Sequence, residues 1–314
     1  MVSKNICVIG NLITDLKVYN INSMPNWGEE VVGDKHEFCS GGQAFTLACG
    51  LSKLGLNTSV ISSVGSDHFG RNIINDLHSL NVDTSKIDML VNKPTGVSVS
   101  IIRGDGERSF ISSFGSLTLF NVNSILQHWQ FIIDSDVICF VGTFNFPNLS
   151  LVSLYPLFMN LQDAGKLIIF DPGWDPSGWS LNSRIELKNL LPFVDTFLPN
   201  LDEAQALTGF LDKNLIVKDL RLSSCSEFVI KCGADGSLGY SGLLEESTKV
   251  KALKIFDAVG AGDIFNAGFL YAKLNDYSLA DCLIFANFTA SFFLTRENQK
   301  FPTVHEVLAL VDKS

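Results

Sequence analysis

Near its C-terminal end the chain reads Asp257-Ala258-Val259-Gly260-Ala261-Gly262-Asp263-Ile264-Phe265-Asn266-Ala267-Gly268. The glycines let the backbone approach a ligand closely. A helix starting here would turn its unsatisfied N–H groups and the positive end of its dipole toward an anion, and a phosphate suits that place. A carboxylate beside such a nest would repel a phosphate unless it did chemistry there. Asp263 therefore reads as a general base that takes the proton from an attacking hydroxyl, or else as an acidic residue favoured at a helix start on electrostatic grounds alone. In the phosphotransfer reading, the amides of Gly260, Ala261 and Gly262 surround the transferring group.

Two further stretches carry chemistry. Asn200 and Glu203 stand three residues apart in Pro199-Asn200-Leu201-Asp202-Glu203, which is the pattern of a helix cap with Glu at the third position. Lys231 precedes Cys232-Gly233-Ala234-Asp235-Gly236; a lysine beside phosphates makes chemical sense, and a turn before a strand explains the glycines equally well. Asp171, followed by Pro172-Gly173, ends an apolar run and could cap its own turn. There is no GxxxxGK[ST] loop, no HRD loop and no GxGxxG after the first strand, where the chain reads Gly10-Asn11-Leu12-Ile13. Phosphates would then have to be cradled by Gly260-Ala261-Gly262-Asp263.

The elements that must position these residues follow from periodicity. Lys4 to Gly10 reads as a buried strand, Gly42 to Leu54 as a helix ended by Gly55, Asn57 to Ser63 as a strand and Asp67 to Leu80 as a helix. Strands at 137 to 141, 167 to 171 and 195 to 198 then alternate with helices at 149 to 164, 183 to 191 and 201 to 208. Further strands are expected near 227 to 231 and 237 to 240, an extended apolar approach at Leu253 to Phe256, and helices from Ile264, at 278 to 293 and at 303 to 311. Short apolar strands alternating with helices predict a doubly wound α/β fold, its central sheet mostly parallel and covered by helices on both faces, with ligands at the C-terminal ends of the strands. Residues 17 to 40 and 95 to 113 break this rhythm. The second contains two short runs around Gly104-Asp105-Gly106, a hairpin by its turn chemistry, and together the two segments predict a small β-sheet lid on a core of residues 1–16, 41–94 and 114–314.

Composition narrows the function. The 314 residues are 46% hydrophobic and 18% charged, enough for a large core, and a formal charge of −10 without basic runs excludes a nucleic-acid groove. Seven scattered cysteines, mostly in apolar runs, read as reduced thiols, and neither they nor the five histidines have zinc-ligand spacing. There is no signal-peptide pattern and no apolar run of membrane-spanning length, so the expectation is a cytoplasmic protein with no membrane partner.

Gly260-Ala261-Gly262-Asp263 before a helix resembles the C-terminal signature of the ribokinase-like, or PfkB, carbohydrate kinases, and Gly41-Gly42-Gln43-Ala44-Phe45-Thr46-Leu47-Ala48 is similar to that family's N-terminal glycine-pair motif. The resemblance covers essentially the whole chain. It implies ATP and Mg²⁺ as cofactors, Asn200 and Glu203 organising the metal, and Lys231, Gly233, Gly236, Gly262 and Asn287 near the nucleotide. On the acceptor side it implies Asp15, Gly41, Gly42, Gln43 and Thr46, with Asp263 as base. A carboxylate such as Asp15 can accept hydrogen bonds from two hydroxyls of a sugar. Arg103 or Arg108 could hold a phosphate on the acceptor or simply be solvated. The family also implies a lid closing over the sugar and pairing into a homodimer. Ile13 and Thr46 stand where ribose-specific relatives carry Asn, Gln43 replaces a common Lys or Asn, and Thr143 stands where they carry Glu, so ribose is not implied. Ala258 and Glu297-Asn298-Gln299 depart from the family's monovalent-cation site. The expected activity is ATP-dependent phosphorylation of a hydroxyl, a primary one, on a sugar-like acceptor. Alternatives are a nucleoside kinase using Tyr19, Trp27 or Phe38 to stack a base, and a sugar sensor without transfer.

Overall fold

The computed structural model describes residues 4–105, 108–249, 259–295 and 300–312. The expected approach Leu253 to Phe256, with Gly106, Asp257, Ala258 and Arg296 to Gln299, lies outside the described residues. The first half of the chain runs β1 (Asn5–Gly10), β2 (Ile13–Tyr19), β3 (Lys35–Gly41), α1 (Gln43–Lys53), β4 (Asn57–Gly65), α2 (His68–Ser79), β5 (Asp83–Leu90), β6 (Gly96–Ile102) and β7 (Arg108–Ser113). Then come α3 (Val122–Leu126), α4 (Trp129–Asp134), β8 (Val137–Val141), α5 (Leu151–Asp163), β9 (Leu167–Asp171), α6 (Leu181–Leu190), β10 (Thr196–Phe197), α7 (Leu201–Thr208) and α8 (Lys213–Leu222). The chain continues through β11 (Glu227–Lys231), β12 (Ser237–Ser241), β13 (Leu244–Thr248), α9 (Ala261–Leu274), α10 (Leu279–Leu294) and α11 (Val304–Val311).

Successive residues of the central strands bury on opposite faces, which is why those strands read as unbroken apolar runs. Cys7, Ile9, Ile138, Phe140 and Phe170 enter one apolar layer with α5 and α6, while Ile6, Val8, Val137, Cys139 and Ile169 enter the other with α1, α9 and α10. The large sheet has the order β13-β12-β11-β10-β9-β8-β1-β4-β5. Pairing is parallel from β11 through β5 and antiparallel only between β11, β12 and β13. Five elements lacked an assignment from sequence: β5, α3, α4, α8 and β13. Residues 83–90 and 244–248 are sheet-edge strands with mixed polar and apolar residues, whereas α8 had a signal, Ile216, Val217 and Leu220 at helical spacing behind the cap Asp212. Among the described residues no helix is long and apolar enough to cross a membrane.

A second, four-stranded sheet, β3-β2-β6-β7, stands apart. It begins at Ile13 and its second strand ends at Gly41, so residues 13–16 belong with it and not with the core to which the rhythm had assigned them. Asp15 accordingly sits inside a strand of the small sheet. Register puts Cys39, Asp15, Ser98 and Ser112 in one cross-strand row, then Glu37, Lys17, Ser100 and Phe110, then Lys35, Tyr19, Ile102 and Arg108, all on one face. The opposite face carries Phe38, Leu16, Val99 and Ile111 in one row.

Asp67 ties this sheet to the core. As the α2 N-cap it accepts from Gly70 N–H at 2.9 Å, and it also accepts from the Thr95 hydroxyl and N–H, both at 2.7 Å, immediately before β6. Burial would raise its pKa, but the hydrogen bonds from Gly70 and Thr95 outweigh burial and hold it below the ordinary value. A lowered folded pKa gives stability that is present above the unfolded value, near 3.9, and is lost as pH falls through the folded value. Asp67→Ala is expected to cost about 1–2 kcal/mol in urea unfolding at pH 7, with the difference from wild type shrinking toward pH 3.

Candidate active site

Three strands of the large sheet end at one place. Asp171 is the last residue of β9, Lys231 the last of β11, and Asn200 follows β10 as the N-cap of α7. A cavity of about 850 Å³ opens over these ends and over the start of α9. It is the crevice outside the carboxyl ends of parallel strands where such folds bind ligands.

Lys231 Nζ donates to Asp171 Oδ2 at 2.6 Å and to Asn266 Oδ1 at 3.3 Å, and Asn266 Nδ2 donates to the same Asp171 oxygen at 2.6 Å. Asp171 is 2% exposed. Its other oxygen, Oδ1, accepts from Gly173 N–H, so the expected turn cap exists beside the ion pair. Sequence reasoning gave Asn266 no role, although it lies three residues after Asp263 on the same helix and so on the same face. For Lys231, burial pulls the pKa down but Asp171, Glu203 and Asp263 outweigh it, and the ammonium form is held.

Gly260, with φ of +78°, is the N-cap of α9, and the helix ladder begins with Ile264 N–H to Gly260 C=O at 3.1 Å. The preceding amides therefore have no partner within the helix. A Cβ on Gly262 would stand 3.4 Å from Lys231 Nζ, which puts the lysine against this nest. Asp263 is buried in the first turn of α9 and receives a hydrogen bond from the Gln43 side chain. Burial first, then Asp171, push its pKa up to about 8, against the opposing pull of Lys231 and Gln43. Glu203 is raised to about 7, again by burial and then Asp171.

Asn200 and Glu203 form the expected helix cap. Asn200 Oδ1 accepts from Glu203 N–H and Glu203 Oε2 accepts from Asn200 N–H, each at 2.8 Å, a full capping box on the cavity wall. Gly233 and Gly236 also line the cavity; Gly236 (φ +87°) packs so closely on β13 that a Cβ would meet Thr248 O at 1.9 Å. Asn287 is neither a surface residue nor free for a ligand through its amide hydrogens: it is buried, and Nδ2 donates to Ser237, Thr248 and Leu283, although the residue does border the cavity.

On the acceptor side, Gln43 and Arg108 line the cavity, while Asp15, Gly41, Gly42 and Thr46 do not. A Cβ on Gly42 (φ +95°) would fall 2.3 Å from Asn11 O, so that position needs glycine, and one on Gly41 would fall 2.1 Å from Asp15 Oδ2 and displace that carboxylate. Thr46 lies against Gly260, with its methyl 3.0 Å from where a Cβ there would be, and thus supports the nest from behind. Of the aromatics considered for base stacking, Trp27 is fully exposed, Phe38 packs on Phe69 with ring centres 5.9 Å apart, and Tyr19 donates to Glu37 at 2.9 Å; none lines the cavity. Phe110 and Trp174 do. Arg103 is bound to Asp105, which leaves Arg108 as the lid arginine at the cavity.

Removing Lys231 would strand Asp171 as a buried, partly paired charge. Lys231→Met is expected to destabilise the protein by about 3–5 kcal/mol in chemical unfolding, and adding Asp171→Leu is expected to recover most of that loss.

Comparison with known proteins agrees along the whole chain. The model of the pfkB family carbohydrate kinases matches residues 3–305. The chain is 24% identical over 316 residues to the ribokinase of Haemophilus influenzae, covering 98% of this chain and 99% of that one. It is 29% identical over 255 residues to the 2-dehydro-3-deoxygluconokinase of Bacillus subtilis, covering 77% and 76%. In structure it resembles Arabidopsis thaliana ribokinase complexed with ribose and ATP, with a TM-score of 0.82 at 22% identity over the full length of both chains. With both signature motifs in order and a family match across nearly all of its length, the chain belongs to the PfkB family of carbohydrate kinases, phosphotransferases with an alcohol group as acceptor.

Proposed function

We propose that this kinase transfers the γ-phosphoryl group of ATP to a hydroxyl, a primary one, of a sugar or sugar acid, with Asp263 as the general base. The observation that carries the reading is the position of Asp263: a buried carboxylate in the first turn of α9, hydrogen-bonded by Gln43 and adjoining an amide nest that opens into the cavity. A pKa raised toward 8 suits a group that must accept a proton near neutral pH. Lys231, held charged by three carboxylates, neutralises phosphate charge, and the amides of Gly260, Ala261 and Gly262 receive the charge that develops on the transferred group. Asp15, with Gly41 and Gly42 fitted around it, orients the acceptor's hydroxyls.

The residues fit Mg²⁺. Asp171, Glu203 and Asp263 all act on a single lysine, and Asp171 adds to the burial that raises Glu203 and Asp263, a surplus of carboxylates over cations that a divalent cation would offset. Among the described residues no three His, Cys, Asp or Glu side chains form a ready metal cage, which suits an ion that keeps water and phosphate oxygens as ligands. Asn200 and Glu203 would hold it through such waters, and the ion would supply neutralisation of the phosphate charge. Relatives include ribokinases and 2-dehydro-3-deoxygluconokinases, so family membership alone leaves the acceptor open. A second copy of the chain is the proposed partner of the small sheet's outer face, where Phe38 and Ile111 are more than half exposed in one apolar row.

Asp263→Asn is expected to lower kcat by at least about 10³-fold with the KM for ATP changed little, as for a residue needed only in the transition state. In the wild type, kcat/KM for the acceptor is expected to rise with pH with an apparent pKa well above the ordinary carboxylate range. Near-normal turnover in the variant, or an acid limb near pH 4, would reject the base assignment. The same group sets a stability trend. Its folded pKa lies above the unfolded one, so the native state holds the extra proton between about pH 4 and about 8 and loses stability as pH rises through that window. Asp263→Asn should flatten this slope in thermal unfolding and raise the melting temperature at pH 8.

A further inference from the structure

An ammonium group carries three N–H donors and no acceptor. Lys231 commits two of them inside the protein, to Asp171 Oδ2 at 2.6 Å and to Asn266 Oδ1 at 3.3 Å, and among the described residues Nζ makes no third hydrogen bond. The lysine lies along the first turn of α9: a Cβ on Gly262 would stand 3.4 Å from Nζ and 3.8 Å from both Cδ and Cε. Lys231 and Gly262 both line the cavity, and the amides at this helix start have no partner within the helix. One donor of Lys231 is thus left beside the anion nest.

Asn266 follows Gly262 by four residues on α9, so it stands one turn further along the same helix face. It is 1% exposed and does not line the cavity. Its amide is used at both ends: Oδ1 accepts from Lys231, and Nδ2 donates to Asp171 Oδ2 at 2.6 Å. Only one orientation of the amide allows this, because the reverse would set NH₂ against the ammonium and oxygen against the carboxylate. A carboxylate at this position could not donate to Asp171, and an apolar side chain could serve neither neighbour. Asp171 is itself pinned, since its other oxygen accepts from Gly173 N–H at 3.2 Å. The lysine is therefore anchored through a carboxylate fixed by β9 and an amide fixed by α9.

We propose that Asn266 is a positioning residue for phosphoryl transfer: with Asp171 it fixes two donors of Lys231, so that the third meets an oxygen of the terminal phosphoryl group of ATP at the Gly260–Gly262 nest. The inference rests on the kinase reading of the cavity. Buried and outside the cavity, Asn266 touches no ligand and acts through Lys231. A lysine is a point charge on a flexible four-carbon stem, and holding it in place before the nucleotide arrives removes an ordering cost from binding. The terminal group is the one concerned because Asp263, the base, is the residue after Gly262, and the group it helps to transfer must lie within reach of both.

Calorimetric titration in the presence of Mg²⁺ tests this without knowledge of the acceptor. It measures Kd for ADP and for AMPPNP, a non-hydrolysable analogue that adds the terminal phosphoryl group, in the wild type, Asn266→Leu and Asn266→Ala. Asn266→Leu is expected to weaken AMPPNP binding about 10-fold, the scale of one charge-assisted hydrogen bond, and to leave Kd for ADP little changed. Asn266→Ala, which favours the helix, should show the same selective loss and carries the test if the bulkier leucine disturbs folding, as urea unfolding would reveal. In the Lys231→Met/Asp171→Leu background, where both charges are gone, adding Asn266→Leu should change neither Kd. Equal weakening of ADP and AMPPNP in the single variants gives Asn266 a structural role only and overturns the proposal. Unchanged affinity for both nucleotides overturns it too, as does a selective loss that persists in the Lys231→Met/Asp171→Leu background. A wild type that binds neither nucleotide overturns the kinase reading and this inference together.

Discussion

The site depends on a buried ion pair. Lys231 and Asp171 meet at 2.6 Å where β9 and β11 end, and Asn266 of α9 closes the triangle from above. Two parallel strands and the helix that carries the anion nest are thereby held in one arrangement by groups that have left water. Such a pair is costly to bury and more costly to break, so its worth lies less in net stability than in fixing one geometry. It also lets Glu203 and Asp263 remain in the same small volume. Burial first, and then Asp171, raises the pKa of both Glu203 and Asp263, while Lys231 opposes the rise.

Close approach is the second constraint. The turn at Gly260 is left-handed with Thr46 behind it, and the turn into α1 needs Gly42 because the Asn11 backbone occupies the space a side chain would fill, while a side chain at position 41 would displace the Asp15 carboxylate. The two glycine motifs are distant in sequence and open the two helices, α1 and α9, that pack against each other in one apolar layer. The two glycine-rich turns are in this way mounted on adjoining helix starts. Gln43, the first residue of α1, reaches across to the carboxylate of Asp263 and joins them.

The small sheet has two faces with different chemistry. One carries Asp15, Lys17, Ser98, Ser100 and Arg108; the other carries Leu16, Phe38, Val99 and Ile111. Strand alternation makes this possible, since neighbouring residues point opposite ways and one short strand can serve a polar cavity and an apolar contact together. The Asp67 bonds to Thr95 anchor the root of the sheet, and Arg108 and Phe110 of β7 border the cavity.

Local signals carried much of this into the sequence. The parallel core was legible because its strands are buried on both faces, and the start of α9 was legible because glycines precede a run of apolar residues at helical spacing. Asn200 and Glu203 were legible as a capping box, since that device is made within four residues. What the sequence could not express was contact between distant segments. Asp171, Lys231 and Asn266 sit on three elements, up to 95 residues apart, and nothing local distinguishes Asp171 from a turn cap. Nor could periodicity show that Asp15 lies in the small sheet, because Ile13 to Tyr19 alternates like any strand and only its pairing with β3 and β6 decides which sheet it joins. The same pairing brought Arg108 to the cavity and left Arg103 with Asp105. The sequence by itself determined the type of fold and the chemistry at its helix starts, because both are written in neighbouring residues. Tertiary structure decided the charge network and the face each lid residue presents, because burial and register are properties of strands that meet only after folding.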